Sequence, residues 1–566
     1  MPQSFRSTSR RVTDRRAFLH SLSAGAIGLA VPSLIGAAES LGTGAGETLY
    51  NGITLGRPWP PRRVSLPAVP VTPPYLLDPP PVIPIDVGRQ LFVDDFLIDE
   101  NTLERTYHRP IYHERNPVVR PATQWENYDE YAVRTHTNPN PAAMPFSDGV
   151  FFDPVDRLFK MWYMGGYSQN VCYAVSHDGV AWDKPGLDVV PGTNITMPIG
   201  RDSSTVWLDL FERDPAARYK MGLSIGGRLR LYTAADGIHW REAGQTGPVG
   251  DRTTFFYNPF RRVWVYSIRD DVSDGIRGRR YWETGDFLNG VSWRSRQPVP
   301  WVGADKLDPQ RPEIHVEPQL YNLDAVAYES LLLGLFTIFR GERHDREKPN
   351  DVVLGFSRDG FHWSRPDRRP FLSVSEHAGD WNWANVQSAG GVCLVVGDRL
   401  NFYVSGRSGV AGTSAPGVCS TGLATLRRDG FASLGELDPA ASVHRVWRSR
   451  TRPSVTTRPV RFLGGYLFVN ADARMGEVRV EVLDRGGRVI EPFSEGNCEP
   501  FRGDATRARI SWIGGQLSAL AGHDVRFRFF VKGARLYAFW VSAGAEGRSR
   551  GYLAAGGPGL GSGSDV

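Results

Sequence analysis

The chain has 566 residues, of which 41% are hydrophobic, 11% aromatic and 22% charged, with 62 Gly, 41 Pro, 16 Trp and four Cys. This length and composition predict two to four globular domains and exclude a chain that is disordered throughout. Four Cys exclude a disulfide scaffold and a Cys-rich zinc protein. Of the net charge of +5, residues 1–37 contribute +4 through five Arg and one Asp. The remainder of the chain is nearly neutral, so its charge does not indicate a nucleic-acid partner.

Residues 1–38 have the pattern of an export signal. The pair Arg15 and Arg16 precedes Phe18 and Leu19, an apolar stretch over 24–35 and small residues at 36–38, where a signal peptidase would cut. This order resembles a twin-arginine signal, so we expect a periplasmic or secreted protein that leaves the membrane once the signal is removed. A basic tail followed by a buried helix is the alternative interpretation.

Residues 39–84 are rich in proline, with eleven Pro between positions 58 and 84. Proline fixes φ and removes backbone donors, so this segment is expected to form an extended linker or a strap on the surface.

From about residue 140 the sequence repeats a unit of three short β-rich runs and a turn motif. The motif recurs five times: 177–182, 235–240, 290–293, 358–363 and 428–431. In most copies Asp-Gly makes a tight turn and a following Trp packs onto the unit. Four-stranded units of this kind, arranged radially, form propeller blades. We therefore predict a five-bladed β-propeller over residues 85–440.

The last part of the chain has a different pattern. Residues 441–550 alternate apolar and polar side chains with period two, which predicts a β-sandwich. Residues 551–566 are rich in Gly and Ser and are predicted to be a disordered tail. The predicted fold class is therefore all-β, a five-bladed β-propeller followed by a C-terminal β-sandwich.

Two copies of the turn motif carry a family resemblance. Ser176–Trp182 and Ser357–Trp363 both read Ser-x-Asp-Gly-x-x-Trp. Repeats of this kind resemble those of five-bladed glycoside hydrolases related to families 32 and 43. The resemblance implies a carbohydrate substrate and a hydrolase that cleaves glycosidic bonds in a polysaccharide or oligosaccharide. The chain lacks the full Trp-x-Asn-Asp-Pro and Arg-Asp-Pro motifs of family 32.

Glycosidic cleavage commonly needs two carboxyl groups, one to protonate the leaving oxygen and one to act as base or nucleophile. Inner blade strands line the channel, so acids just before these strands are the candidates: Asp148, Asp202, Asp251 and Glu317. The resemblance implies that Asp148 is the base or nucleophile and Asp202 the orienting acid. The proton donor is left open between Asp251 and Glu317. A surface turn or strand-end cap is the alternative role for each acid.

Further polar and aromatic residues near the same rim are candidates for sugar binding: His136, Arg201, Trp383, Gln387 and Arg407. The twelve His lack dense ligand spacing, so neither a catalytic metal site nor a cofactor is expected, while a structural calcium stays open. Cys393 and Cys419 fall in one predicted blade and could form a disulfide. The sequence does not indicate an oligomeric state.

Two other functions are compatible with this fold. A non-catalytic carbohydrate-binding propeller would retain glycans without turnover. A polysaccharide lyase would need a Tyr or His base beside an Arg or metal that neutralises the substrate's charge.

Overall fold

A computed structural model describes residues 46–436 and 452–566, except residues 136, 138, 274 and 392. The export signal and the candidate His136 therefore lie outside the described residues. The described chain is all-β, with short α-helices at Pro74–Leu77 and Glu130–Thr135 and 3-10 turns at Pro215–Ala217, Glu495–Asn497 and Leu517–Leu520. None of the described helices has the length and apolarity needed to cross a membrane.

Residues 46–84 form a strap packed against the rest of the chain. Leu49, Ile53 and Tyr75 are buried, and the Tyr50 hydroxyl donates to the carbonyl of Ser330. The strap ends in β1 (Ile83–Pro84). Four short strands follow it: β2 (Gln90–Leu91), β3 (Ile98–Asn101), β4 (Glu104–Tyr107) and β5 (Ile111–Tyr112).

The five-bladed propeller is confirmed. Its first three blades are β6 (Ala143–Asp153), β7 (Leu158–Gly165), β8 (Val171–Ser176) and β9 (Ile195–Met197); β10 (Ser204–Leu208), β11 (Tyr219–Ile225), β12 (Arg228–Ala234) and β13 (Arg241–Pro248); and β14 (Thr254–Asn258), β15 (Val263–Ser273), β16 (Ile276–Thr284) and β17 (Val299–Gly303). The strands of each blade pair antiparallel in chain order. Strands packed on both faces become nearly continuous apolar runs, as in Leu158–Gly165.

The last two blades depart from this simple order. Their strands are β18 (Gln319–Glu329), β19 (Leu331–Phe339) and β20 (Asp351–Ser357); and β21 (Asn385–Ser388), β22 (Leu394–Val396), β23 (Arg399–Arg407) and β24 (Cys419–Arg427). In blade five, β5 pairs with β24 as the outermost strand. Because β5 precedes blade one in the chain, this pairing closes the ring.

The turn motifs are structural, as the sequence indicates. In blade four the Asp359 carboxylate accepts the backbone N–H groups of Phe361 and His362 at 2.9 and 2.8 Å. The turns also join blades, since Trp162 of blade one donates its indole N–H to the carbonyl of Gly237 in blade two at 2.6 Å. A Cβ at Gly237 would lie 2.4 Å from that indole, so this turn requires glycine.

Seven further strands form an additional β-rich region: β25 (Ala432–Gly435), β26 (Ser454–Thr457), β27 (Val460–Arg461), β28 (Tyr466–Leu483), β29 (Phe501–Ile510), β30 (Arg526–Lys532) and β31 (Arg535–Ser542). The last strand, β32 (Tyr552–Leu553), belongs to the sheet of blade four. One nine-stranded sheet has the order β3-β26-β30-β28-β31-β25-β4, with β2 on β31 and β29 on β28. The short β1 pairs with β27 in parallel. This region therefore includes strands from residues 90–107, which the sequence analysis placed in the propeller.

The prediction of a disordered tail is wrong. The strand β32 pairs with β18, and hydrogen bonds join residues 552–557 to the ends of inner strands in blades one, four and five. A Cβ at Gly557 would lie 1.9 Å from the Val395 carbonyl oxygen, so glycine here permits close backbone packing and is not a sign of disorder. The tail covers the end of the channel where the inner strands finish.

Candidate active site

The inner strands β6, β10, β14, β18 and β21 start at one end of the channel, which we call the mouth. Residues that lie just before these strands, or among their first residues, meet there. The loop between β19 and β20 adds Glu347 and Lys348, and the end of β23 adds Arg407. The mouth is thus built from side chains that lie far apart in sequence.

Asp148 is held in a bulge of β6. Met144 pairs with Met164 and Gly149 with Trp162, so the residues between leave the ladder. Its carboxylate is fully buried and accepts the Arg201 Nη2 at 3.0 Å and the Ser204 hydroxyl. Burial raises the pKa of Asp148, against the opposing effect of the Arg201 charge. A sealed carboxylate cannot touch a substrate, so in this structure Asp148 positions Arg201.

Asp202 and Asp251 are the more accessible carboxyl groups at the mouth. Asp202 is half-buried, and its pKa is raised by burial and by the negative charge of Asp251, against the opposing charge of Arg252. The Asp251 side chain is 54% exposed, and its carboxylate lies 3.1 Å from Arg269 Nε. The two carboxyl groups are therefore close enough to interact but have different surroundings.

Arg252 and Tyr321 lie beside this pair. Arg252 is fully buried and donates to the carbonyl of Phe146 and to Ser147 Oγ, both at 3.1 Å. Its guanidinium carbon lies 3.7 Å from the Phe146 ring centroid and 5.8 Å from that of Tyr321. Burial raises the pKa of Tyr321, which keeps the phenol protonated at neutral pH.

Three of the predicted sugar-binding residues are buried around the mouth or next to it. Arg407 pairs with Glu347. Gln387 is fully buried and donates to Asn385 Oδ1 at 2.8 Å, while its own Oε1 has no described partner. The Trp383 ring lies 5.0 Å from the Arg346 guanidinium. The Arg346 guanidinium therefore covers one face of the Trp383 ring.

Glu317 lies apart from the other predicted acids. It is exposed, and Gln310 donates to its carboxylate at 2.6 Å. Among the described residues Glu317 shares no hydrogen-bond or ion-pair partner with Asp148, Asp202 or Asp251, so its contacts do not join it to the network at the mouth.

A polar layer lies deeper in the channel. Asp324 Oδ2 accepts hydrogen bonds from Ser388 Oγ at 2.6 Å, Asn322 Nδ2 at 2.8 Å and Ser147 Oγ at 3.2 Å. Burial raises the pKa of Asp324. These bonds join the inner strands of blades one, four and five and fix the floor of the mouth.

Two expectations concern metals and disulfides. Within the described residues no group of three or more His, Cys, Asp or Glu side chains is placed to hold a metal ion. All four Cys are free and buried, so the Cys393–Cys419 disulfide that the sequence left open is not formed.

Sequence reasoning missed several mouth residues, including Arg252 and Tyr321. One signal was present: Arg201-Asp202 precedes β10 and Asp251-Arg252 precedes β14. An acid with a neighbouring Arg at the start of two successive inner strands would have indicated a charged cluster. Tyr321 had no such local signal.

Comparisons with known proteins give only distant matches. No family model and no curated protein matches the chain. An N-acetylgalactosamine deacetylase from F. plautii, solved with blood group B trisaccharide, is 15% identical over 56% of this chain and 97% of its own, with a TM-score of 0.38. A member of the GH130 family of mannoside phosphorylases and hydrolases, the latter targeting β-1,2 mannosidic linkages in Candida mannan, is 11% identical over 60% and 96%, with a TM-score of 0.38. A fructofuranosidase from Schwanniomyces occidentalis is 10% identical over 74% and 98%, with a TM-score of 0.33. Similarity this low leaves the function to be argued from the residues of the site.

Proposed function

We propose that the protein is a glycoside hydrolase whose acid and base at the channel mouth are Asp202 and Asp251. The observation that carries this is the contrast between two interacting carboxyl groups. Asp202, half-buried with a raised pKa, suits a proton donor. Asp251, exposed and paired with Arg269, is placed to act as the base or nucleophile.

In this proposal the bond between the anomeric carbon and the leaving oxygen breaks. Asp202 gives its proton to the leaving oxygen. Asp251 either removes a proton from an attacking water or attacks the anomeric carbon itself, and in the second case water later releases the sugar. The net change is addition of one water across the glycosidic bond.

The assignment differs from that implied by the family resemblance. Asp148 becomes a positioning residue, because its buried carboxylate holds Arg201 beside Asp202. Asp251 takes the base or nucleophile role, and Glu317 has none. The N-terminal sequence pattern supports export, so we infer that the substrate is a glycan met outside the cytoplasm.

The test is release of reducing sugar from a panel of polysaccharides and oligosaccharides. Asp202→Asn and Asp251→Asn should each lower activity at least about 100-fold. Asp188→Asn is the matched control, because this acid is 81% exposed and bonds to His239. Equal activity of wild type, Asp202→Asn and Asp251→Asn on every cleaved substrate would refute the assignment, and glycan binding without turnover would favour a carbohydrate-binding protein.

A polysaccharide lyase is the second candidate. One observation favours it: the Tyr321 ring lies beside the buried Arg252, as a base beside a charge-neutralising group would. The raised pKa of Tyr321 counts against it as a base at neutral pH. Absorbance of an unsaturated uronate product that disappears in Tyr321→Phe would establish the lyase and reject the hydrolase.

A further inference from the structure

The mouth holds more arginine than its carboxylates can pair. Arg252, Arg277 and Arg279 gather around the first residues of β14 and β18, and among the described residues none has a carboxylate within ion-pair distance. Arg252 and Arg279 are fully buried. Burying a cation without a counter-charge is costly, so the site is expected to have a use for this charge.

Aromatic rings support two of the three guanidinium groups. The Arg277 guanidinium carbon lies 4.7 Å from the Phe339 ring centroid and 5.5 Å from that of Tyr321, which also lies 5.8 Å from Arg252. Cation–π contacts of this kind fix the planes of the guanidinium groups but do not neutralise their charge.

Buried N–H groups of these arginines also lack acceptors. Among the described residues, Arg252 Nε, Arg277 Nη1 and Arg279 Nε have no hydrogen-bond partner. Arg277 is the half-buried one of the three, so its Nη1 is the donor that an acceptor from outside the protein can reach.

The nearby acids do not pair with these three arginines. Three of the acids are already paired: Asp148 with Arg201, Asp251 with Arg269, and Glu347 with Arg407. The charges of Asp202 and Asp324 act on Arg252, but neither acid forms an ion pair with it among the described residues. Lys348 adds a further cation, 2.9 Å from Glu342, at the same mouth.

We propose that the mouth recognises a negatively charged substituent of the sugar, a uronate carboxylate or a sulfate ester, through the half-buried Arg277, with the buried Arg252 adding positive charge nearby. Both groups offer the planar or clustered oxygen acceptors that a guanidinium binds best. This inference rests on the proposed function, since it names the substrate class of the same site.

The experiment measures equilibrium binding, independent of turnover. Neutral, uronate-containing and sulfated oligosaccharides of matched length are titrated into Asp202→Asn, with inorganic phosphate as a competitor. Charged oligosaccharides should bind at least about tenfold tighter than neutral ones, and more weakly as ionic strength rises. Which charged ligand binds tighter identifies the substituent.

Arg277→Gln should lower the affinity for the charged ligands about tenfold and leave neutral-ligand affinity within about twofold, while Arg277→Lys should retain part of the preference. Arg213→Gln is the matched control, because Arg213 is exposed and follows the far end of β10. If Arg277→Gln does not fold, the affinities for charged and neutral ligands are measured with Lys348→Met instead.

Equal binding of neutral and charged glycans would overturn the proposal. So would phosphate binding that leaves glycan binding unchanged. If the wild-type protein hydrolyses none of these glycans but binds the charged ones selectively, the proposed reaction is rejected and this inference is kept.

Discussion

Removing the Asp359 carboxylate should destabilise the protein far more than removing the same group from the corresponding turn of blade one. Asp359 is buried and accepts the N–H groups of Phe361 and His362, at 2.9 and 2.8 Å. Asp178 is exposed and accepts those of Val180 and Ala181, both at 2.8 Å. The two turns share these backbone bonds, but Asp359 is buried and its carboxylate also lies 2.7 Å from His362 Nδ1, a contact that Asp178 lacks among the described residues.

The expected difference in stability between the two Ala variants depends on what replaces the lost carboxylate acceptor. In Asp359→Ala two backbone donors are left in a largely dry turn at about 1–3 kcal/mol each, so the expected loss is about 2–6 kcal/mol. In Asp178→Ala water takes the place of the carboxylate, so the expected loss is about 1 kcal/mol. Asp359→Asn keeps the acceptor and should recover most of the stability.

The assay is guanidinium unfolding followed by tryptophan fluorescence, with circular dichroism as a second probe. Comparing the shift in midpoint for Asp359→Ala, Asp359→Asn and Asp178→Ala measures the combined effect of burial and of the His362 contact. Equal shifts for the two Ala variants, or no recovery with Asn, would refute the reasoning.

Three further predictions concern the mouth and the far end of the channel. Arg201→Met should cost about 3–5 kcal/mol, because it leaves Asp148 buried and unpaired, and adding Asp148→Asn should recover part of that loss in a double-mutant cycle; additive effects would contradict the pairing. Leu553→Ala should cost about 2–4 kcal/mol by thermal unfolding, and the half-buried Leu560→Ala less, since Leu553 is 1% exposed where the tail covers the channel; equal losses would argue against that packing. Burial and two neighbouring arginines lower the pKa of Lys348 to about 8, so affinity for charged glycans should fall as pH rises through about 8; the same slope in Lys348→Met would exclude Lys348 as its source.

The blades were predictable because their signal is local. Each turn motif places its Asp and Gly within a few residues, and the Asp359 and Asp178 turns show the same pattern of backbone bonds. Because the pattern recurs five times, the sequence predicts a radial repeat without any information on strand pairing.

Pairings between distant segments were not predictable. The strand β5 closes blade five across about 310 residues, as the pairing of Tyr112 with Ala424 shows, and no local pattern encodes that partner. The tail was misinterpreted because Gly and Ser are common both in disordered chains and where backbones pack closely.

The site was only partly predictable for the same reason. Asp148 stood before an apolar run, but its burial depends on the bulge in which Ser147 and Gly149 have φ values of 63° and 155°. Burial and charge at Asp202 come from Arg252 and Asp251 of the next blade, which only the ring brings near.

The central claim is that Asp202 protonates the leaving group and Asp251 does not. The most direct measurement compares hydrolysis of a natural glycoside with that of an aryl glycoside whose leaving group is acidic enough to depart without a proton. The account predicts that Asp202→Asn loses at least about 100-fold on the natural glycoside but much less on the aryl glycoside. Asp251→Asn should lose activity on both. Equal losses of Asp202→Asn on the two substrates, or selective sparing of Asp251→Asn on the aryl glycoside, would contradict the assignment.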